Sequence, residues 1–251
     1  MDELIITDKG NVRFITLNRP ESRNALNFSL MGKLASAIRQ ASADDEIKVI
    51  VVNSSSDRAF CAGVDLKELK DFIDSNRVRD YFRAYSEIIL AIEDCIKPTV
   101  AVVRGYALAG GCGLAVACDI TIASDDSKFG VPEINLGMWP MIISYPILKF
   151  VHPKKVLELF LTGRIIDASE AKDIGMVNFI VDKDSIESFS EGIINNLASR
   201  SSLALKMGKE AFDFLIQENY SEKIKYLREM SAILASSSKA NIEEFLTKSR
   251  K

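Results

Sequence analysis

The chain opens with Leu4-Ile5-Ile6, a break at Lys9-Gly10-Asn11, and a second apolar run from Val12 to Leu17. Two short strands around a glycine turn predict a β-hairpin. After Arg19-Pro20 the period changes: Leu26, Leu30, Leu34 and Ile38 recur at four-residue spacing, one face of an amphipathic helix. Val49 to Val52 is wholly apolar and predicts a strand buried on both faces. Residues Val78 to Ile96 carry Phe82, Tyr85, Ile89, Ile92 and Ile96 on one side and predict a helix stopped by Pro98. Val100 to Val103 and Ile120 to Ala123 read as further buried strands, Lys154 to Leu161 as a helix, and Val177 to Val181 as a last strand. Asp167-Ala168-Ser169-Glu170 has capping-box spacing. From Asp184 every segment reads as helical, so the expectation is an α/β core with an all-helical tail and no fixed-period repeat.

Composition narrows the function classes. The chain has 251 residues, 47% hydrophobic and 27% charged, enough for one sizeable core. Its net charge of -3 lacks the basic stripe of a nucleic-acid binder. Arg77-Val78-Arg79 and Lys248-Ser249-Arg250-Lys251 read as solvated surface. Cys61, Cys95, Cys112 and Cys118 form no CxxC pair, and His152 is the only histidine, which argues against a zinc site. The cysteines read as buried free thiols of a reducing compartment. No apolar run reaches the ~18 residues of a membrane span, and the acidic, strand-like start is no signal peptide; the expected location is cytoplasmic. His152, before Pro153 at a helix start, reads as structural, and Cys112 as a packed thiol.

Three segments carry chemistry. Between the 100–103 and 120–123 strands lies Arg104-Gly105-Tyr106-Ala107-Leu108-Ala109-Gly110-Gly111-Cys112-Gly113. A strand, a glycine turn and a helix beginning near Gly110 aim backbone N–H groups forward, where the helix dipole adds positive potential. The spacing fits neither GxGxxG nor a Walker loop. Ala59-Phe60-Cys61-Ala62-Gly63-Val64-Asp65-Leu66 repeats the strand-to-loop handover. Phe129-Gly130-Val131-Pro132-Glu133-Ile134-Asn135-Leu136-Gly137 places one carboxylate among apolar residues, where it either faces water or takes a raised pKa suited to proton transfer.

Together with Arg19, Pro20, Asn24, Ala25 and Leu26, with Cys118-Asp119-Ile120, Leu161-Thr162-Gly163 and Ala168-Ser169-Glu170-Ala171, these segments resemble the crotonase (enoyl-CoA hydratase/isomerase) family over nearly the whole chain. The resemblance implies an α/β spiral of strand-strand-helix turns over residues 1–196 and a C-terminal helical trimerisation region over 197–251. It implies a homotrimer, or a hexamer built as a dimer of trimers. It implies a lyase or isomerase of acyl-CoA metabolism, with the coenzyme A thioester as substrate and with no metal or redox cofactor. Carried over by motif, the N–H groups of Val64 and Gly110 form an oxyanion hole and Glu133 moves the proton. Arg23, Ala25, Ala62, Val64, Asp65, Leu66 and Gly110 line the CoA-binding strip, and Phe245 and Lys248 reach a neighbouring subunit's CoA. Trp139 and Met141 line the acyl pocket or pack in the core.

The chain departs from the family's hydratases at one position. Those enzymes carry a glutamate after Gly-Gly-Cys, where this chain has Gly113. A single glutamate serves double-bond isomerisation, by moving a proton from C2 to C4 of a 3-enoyl-CoA. Hydration, isomerisation alone, thioester hydrolysis, and non-catalytic binding of CoA or RNA all remain open at this stage.

Overall fold

Sequence polarity and turn chemistry build the first elements as expected. β1 (Leu4–Lys9) pairs antiparallel with β2 (Val12–Leu17), Leu4 opposite Leu17, around the Gly10 turn. In the computed structural model, which describes residues 2–216 and 220–248, β2 then pairs parallel with β3 (Val49–Ser54). Between them runs α1 (Phe28–Ala43), capped by Asn27, whose side chain accepts from the Leu30 N–H at 2.7 Å. Leu26 therefore lies outside this helix, contrary to the four-residue count: the cap ends the periodic run, and Leu26 sits in an isolated parallel bridge with Val64.

β4 (Ala59–Cys61) leads into α2 (Leu66–Asp74) and α3 (Val78–Glu93). α3 stops at Glu93, before Pro98, and Ile96 lies beyond it. β5 (Thr99–Val103), β6 (Tyr106–Leu108) and α4 (Gly110–Ala117) make one turn of the spiral. β7 (Ile120–Ser124), β8 (Lys128–Gly130) and a 3-10 turn at Pro132–Leu136 make the next. There follow α5 (Met141–Phe150), α6 (Pro153–Thr162), β9 (Ile165–Asp167), α7 (Ala168–Asp173) and β10 (Phe179–Val181). The tail is α8 (Ile186–Ala198), α9 (Ser202–Ile216), α10 (Tyr220–Ser237) and α11 (Lys239–Lys248).

Among the described residues the strands form two sheets. The larger has the order β1-β2-β3-β5-β7-β10 and the smaller β4-β6-β8-β9; in the successive turns β3-β4, β5-β6 and β7-β8 the first strand enters the larger sheet and the second the smaller. This is the expected spiral of strand-strand-helix turns. The smaller sheet was not legible in the pattern, because three-residue strands are too short to alternate. The α5 helix was also unread: its run Met-Ile-Ile-Ser-Tyr-Pro-Ile-Leu-Lys-Phe is mostly apolar and holds Pro146 inside.

Val49 to Val52 are fully buried, as expected of a central parallel strand. Every residue of α4 is buried as well, so this helix lies in the middle of the molecule, and α3 and α5 pack against it. The four cysteines are free and buried. α10 packs on α3 and α5, and α11 on α2 and on the 3-10 turn of the same chain. Ion pairs and a hydrogen bond fasten this tail: Lys70 to Glu243 at 3.5 Å, Lys239 to Asp74, and Ser238 Oγ donating to Gly137 O at 2.6 Å. Lys149 of α5, nearly buried, bridges Glu93 of α3 at 2.8 Å and Asp213 of α9 at 3.1 Å. No helix among the described residues is long and apolar enough to cross a membrane. Arg77 and Arg79 are exposed and paired with Asp80 and Glu229; of the terminal basic run, Ser249 to Lys251 lie outside the described residues.

Candidate active site

The glycine loops meet. Gly63 has φ +95°, a left-handed value that an L side chain rarely takes, and a Cβ built there would lie 2.8 Å from Ala109 Cβ and 3.2 Å from the Gly110 nitrogen. Only a residue without a side chain lets the two backbones come this close. Ala109, the residue before α4, is itself held at φ +49°. Its N–H donates to Gly130 O at 2.8 Å and its carbonyl accepts from the Gly113 N–H at 3.1 Å. A non-glycine residue in that region costs on the order of 1–3 kcal/mol, and here β8 and α4 hold it from both sides.

Hydrogen bonding shows which way Val64 faces. In its bridge, Leu26 N–H donates to Gly63 O at 2.8 Å and Asp65 N–H donates to Leu26 O at 2.9 Å. In a parallel pair the residue between those two bonded neighbours turns its own N–H to the other side, away from Leu26. Neither the Val64 nor the Gly110 N–H has a hydrogen-bond partner among the described residues. Two unpaired amides therefore belong to loops in contact.

Glu133 stands in the 3-10 turn after β8, and its carbonyl accepts from Met138 N–H at 3.1 Å. The register Leu108 to Gly130 brings that turn beside the start of α4. The Glu133 Oε2 atom is sealed from solvent and has no hydrogen-bond partner among the described residues. Loss of hydration is the main cause that pushes the carboxyl up to about 8, against a smaller lowering from its own backbone N–H. Of the two settings the sequence left open, this is the raised-pKa one. Cys112 joins the neighbourhood: burial first, then the Glu133 charge, pushes its thiol up to about 12, so it is an inert packed thiol.

The expected CoA-strip residues also come together. Ala62 N–H donates to Arg23 O at 3.1 Å, joining the 23–25 loop to the 62–66 loop. Asp65 caps α2, accepting from Lys67 and Glu68 N–H at 3.2 and 3.4 Å, and its other oxygen pairs with Arg19 at 3.2 Å. Leu66 begins that helix and Ala25 is half-buried, while the Arg23 side chain is exposed and its backbone is left-handed at φ +54°. Sequence reading missed the braces behind this strip. Arg19 also donates to Ala25 O at 2.5 Å, the buried Asn24 amide donates to Ala59 O at 3.0 Å, and Tyr81 Oη donates to Leu26 O at 2.9 Å, with Asp65 O at 3.1 Å. A hydroxyl on the otherwise apolar face of α3 is the signal that would have marked Tyr81, whereas Arg19 and Asn24 stood in the motif without their bracing role.

The position of the absent second glutamate is filled. A Cβ built on Gly113 would lie 2.1 Å from Ile143 Cγ2, 2.5 Å from Ile143 Cβ and 3.2 Å from Tyr85 Oη. Gly113 is thus a packing position, with α5 driven against α4. Trp139 is half-buried and meets the Phe160 ring edge-on, centroids 5.6 Å apart; Met141 opens α5, its N–H bonded to Trp139 O at 2.7 Å. His152 Nδ1 accepts from Lys154 N–H at 3.3 Å and caps α6, the structural part expected of it. Phe245 and Lys248 are exposed on α11, and Lys248 pairs with Glu244 at 2.6 Å. A groove across the outer face of the larger sheet is lined by Asn53, Asp57, Arg104 and Glu187. There Arg104 pairs with both acids, and none of the expected site residues takes part.

The family model described as Enoyl-CoA hydratase/isomerase matches residues 7–250. The chain belongs to the enoyl-CoA hydratase/isomerase family. It is 38% identical over 232 residues to a probable enoyl-CoA hydratase of Rhizobium meliloti, covering 91% of this chain and 88% of that one. It is 31% identical over 214 residues to the short-chain-enoyl-CoA hydratase of Clostridium acetobutylicum, covering 85% and 82%. Among solved structures, an enoyl-CoA hydratase/isomerase of Xanthobacter autotrophicus superposes with a TM-score of 0.87 at 30% identity, covering 99% of this chain and 93% of that one. An enoyl-CoA hydratase of Bacillus halodurans superposes with a TM-score of 0.90 over 97% of this chain and all of that one, and at 23% identity it bears on the fold alone. The chain is an enzyme of the hydratase/isomerase type, as its motifs implied.

Proposed function

We propose that this enzyme binds an enoyl-CoA thioester with its carbonyl oxygen between the Val64 and Gly110 N–H groups, and that Glu133 is the only proton-transfer group. Removing a proton from the carbon next to a thioester sends its bonding electrons to the thioester oxygen. Fixed donors at that oxygen are worth on the order of 10²–10³ in rate each. The observation that carries the reading is the sealed, unpartnered Glu133 oxygen on the turn that follows β8, whose register with β6 brings it near the start of α4, with no room for a second carboxylate at Gly113.

With one carboxyl group, the supported reaction is shift of a double bond. The Glu133 carboxylate takes a proton from C2 of a 3-enoyl-CoA, the electron pair spreads into a dienolate, and the same proton returns to C4, leaving a 2-enoyl-CoA. No external oxidant, metal or water is consumed. The CoA moiety lies along Arg23, Ala25, Ala62, Asp65 and Leu66, and Trp139 and Met141 bound the acyl end. Hydration is the second reading, favoured by the names of the Rhizobium and Clostridium relatives.

The test is Glu133→Gln with two assays, isomerisation of 3-hexenoyl-CoA and hydration of crotonyl-CoA. The parent should isomerise faster than it hydrates, and the variant should lose roughly 10²–10⁴ of its rate, the usual contribution of a general base. A variant as fast as its parent in both assays overturns the role of Glu133. A parent that hydrates and does not isomerise moves the assignment to hydratase, and one that only releases free CoA moves it to hydrolase.

The assembly follows the family: a trimer or a dimer of trimers, with residues 197–251 contributing. Leu157, Leu161 and Ile165 on α6 and β9, and Leu203 and Met207 on α9, are about half or more exposed, an apolar surface suited to another copy of the chain.

A further inference from the structure

Tyr85 is a buried polar group that the proposed chemistry does not use. It sits on the apolar face of α3, only 3% exposed, and its hydroxyl donates to Gly110 O at 2.7 Å. A Cβ built on Gly110 would lie 3.0 Å from Tyr85 Cε2, 3.1 Å from Cζ and 3.2 Å from Oη. Gly110 and Gly113 are one turn apart on α4, and both lack side chains on the face where the Tyr85 ring lies. A core helix pair ordinarily closes such a face with aliphatic carbon. Here a phenol is inserted, and its proton is committed to the carbonyl of the residue whose N–H faces the proposed thioester oxygen.

The geometry has a chemical consequence. Gly110 carries the unpaired N–H on one side and the Tyr85-bonded carbonyl on the other, and the residue before it, Ala109, is in a left-handed conformation that could relax. A bond at the Gly110 carbonyl, together with a ring against its Cα, opposes rotation of that residue. Bonds in a chain also polarise one another. Burial first, and then the neighbouring acidic groups Cys61, Glu133 and Cys112, push the phenol well above its ordinary range, so it stays protonated as a donor.

We propose that Tyr85 is a positioning residue for the reaction: acting through Gly110, its hydroxyl fixes the amide that receives the thioester oxygen. The inference rests on the reading of Gly110 as one of the two oxyanion donors. Tyr85 touches no substrate atom in this scheme, so its effect belongs to the rate and to carbonyl polarisation rather than to CoA affinity.

The experiment compares the parent with Tyr85→Phe, which keeps the ring and deletes the hydroxyl. A chromophoric 4-(dimethylamino)cinnamoyl-CoA is titrated into each, since the absorption of such a conjugated thioester moves to the red as its carbonyl is polarised. The variant should bind within about threefold of the parent, show a clearly smaller red shift, and lose about three- to tenfold in kcat with KM little changed, the scale of one hydrogen bond. An unchanged red shift with kcat within twofold of the parent overturns the proposal. A parent that binds the probe with no red shift removes the oxyanion reading beneath it, a distinguishable failure. If Tyr85→Phe does not fold, Tyr85→3-fluorotyrosine keeps the packing and strengthens the donor; its red shift should equal or exceed the parent's, and a smaller one counts against the proposal.

Discussion

At the scale of single residues, Glu133 sets the pH behaviour. Its carboxyl is pushed up to about 8 from an ordinary 4.5, mainly by lost hydration. An acid that binds its proton more tightly when folded stabilises the protein below the ordinary carboxylate range, and that contribution is lost as pH rises toward the folded value. The ligand-free enzyme should therefore lose stability between about 4.5 and about 8 by this group. Urea titrations across that window should show a flatter pH dependence for Glu133→Gln, which at the alkaline end should be the more stable protein. In the proposed reaction catalysis runs the opposite way, because proton removal by Glu133 would need the carboxylate. The pH profile of kcat/KM should rise along a limb with an apparent pKa near 8. A limb near 4.5 would mean that the group is hydrated in solution.

At the scale of elements, α4 is the keystone, and its glycines are spaces for neighbours. Gly113→Glu puts a Cβ 2.1 Å from Ile143 Cγ2, a contact that neither side chain can relieve by rotation alone. That variant should lower the unfolding midpoint sharply, by more than the ~1–3 kcal/mol of ordinary overpacking. Adding Ile143→Gly removes both atoms that the new Cβ would meet below 3 Å and should recover part of the loss, and the pair is the fair test of whether a second carboxylate brings hydration of crotonyl-CoA. A folded single variant with unchanged melting would show that α5 moves away freely. A second element-level prediction concerns the nearly buried bridge of Lys149 to Glu93 and Asp213. Lys149→Met removes the cation that bridges Glu93 and Asp213 and should cost roughly 3–5 kcal/mol, read by denaturant unfolding. The conservative Lys149→Arg should lose less.

For the whole molecule, the exposed apolar residues on α6 and β9 carry the expectation of assembly. Light scattering should give a mass of three or six chains, and Leu161→Asp, at a position 59% exposed in the single chain, should shift it toward one chain while leaving the helical content unchanged. A parent that remains a single chain at micromolar concentration would remove the trimer.

Much of the architecture could be read directly from the order of residues. The hairpin, the fully buried Val49–Val52 strand, the helix starting at Gly110 and the Asp167 cap depend on local period, turn chemistry and capping, which act over a few neighbours. The three motifs, taken in order, named the family and singled out Glu133, Val64 and Gly110. Three kinds of fact lay beyond that reading. The small sheet is made of strands too short to alternate, so only pairing defines it. Gly113 read as a missing catalytic group, yet its meaning is the Ile143 side chain packed against it from α5. Tyr85 looked like one more apolar-face residue until its hydroxyl was found on Gly110. Local sequence determined which backbone could turn tightly and which side chains could ionise. Tertiary packing decided which of them meet, how much water each keeps, and hence that the Glu133 carboxyl is pushed up to about 8 while Gly113 is closed by Ile143, because burial and contact are properties of the folded chain and not of any residue's neighbours along it.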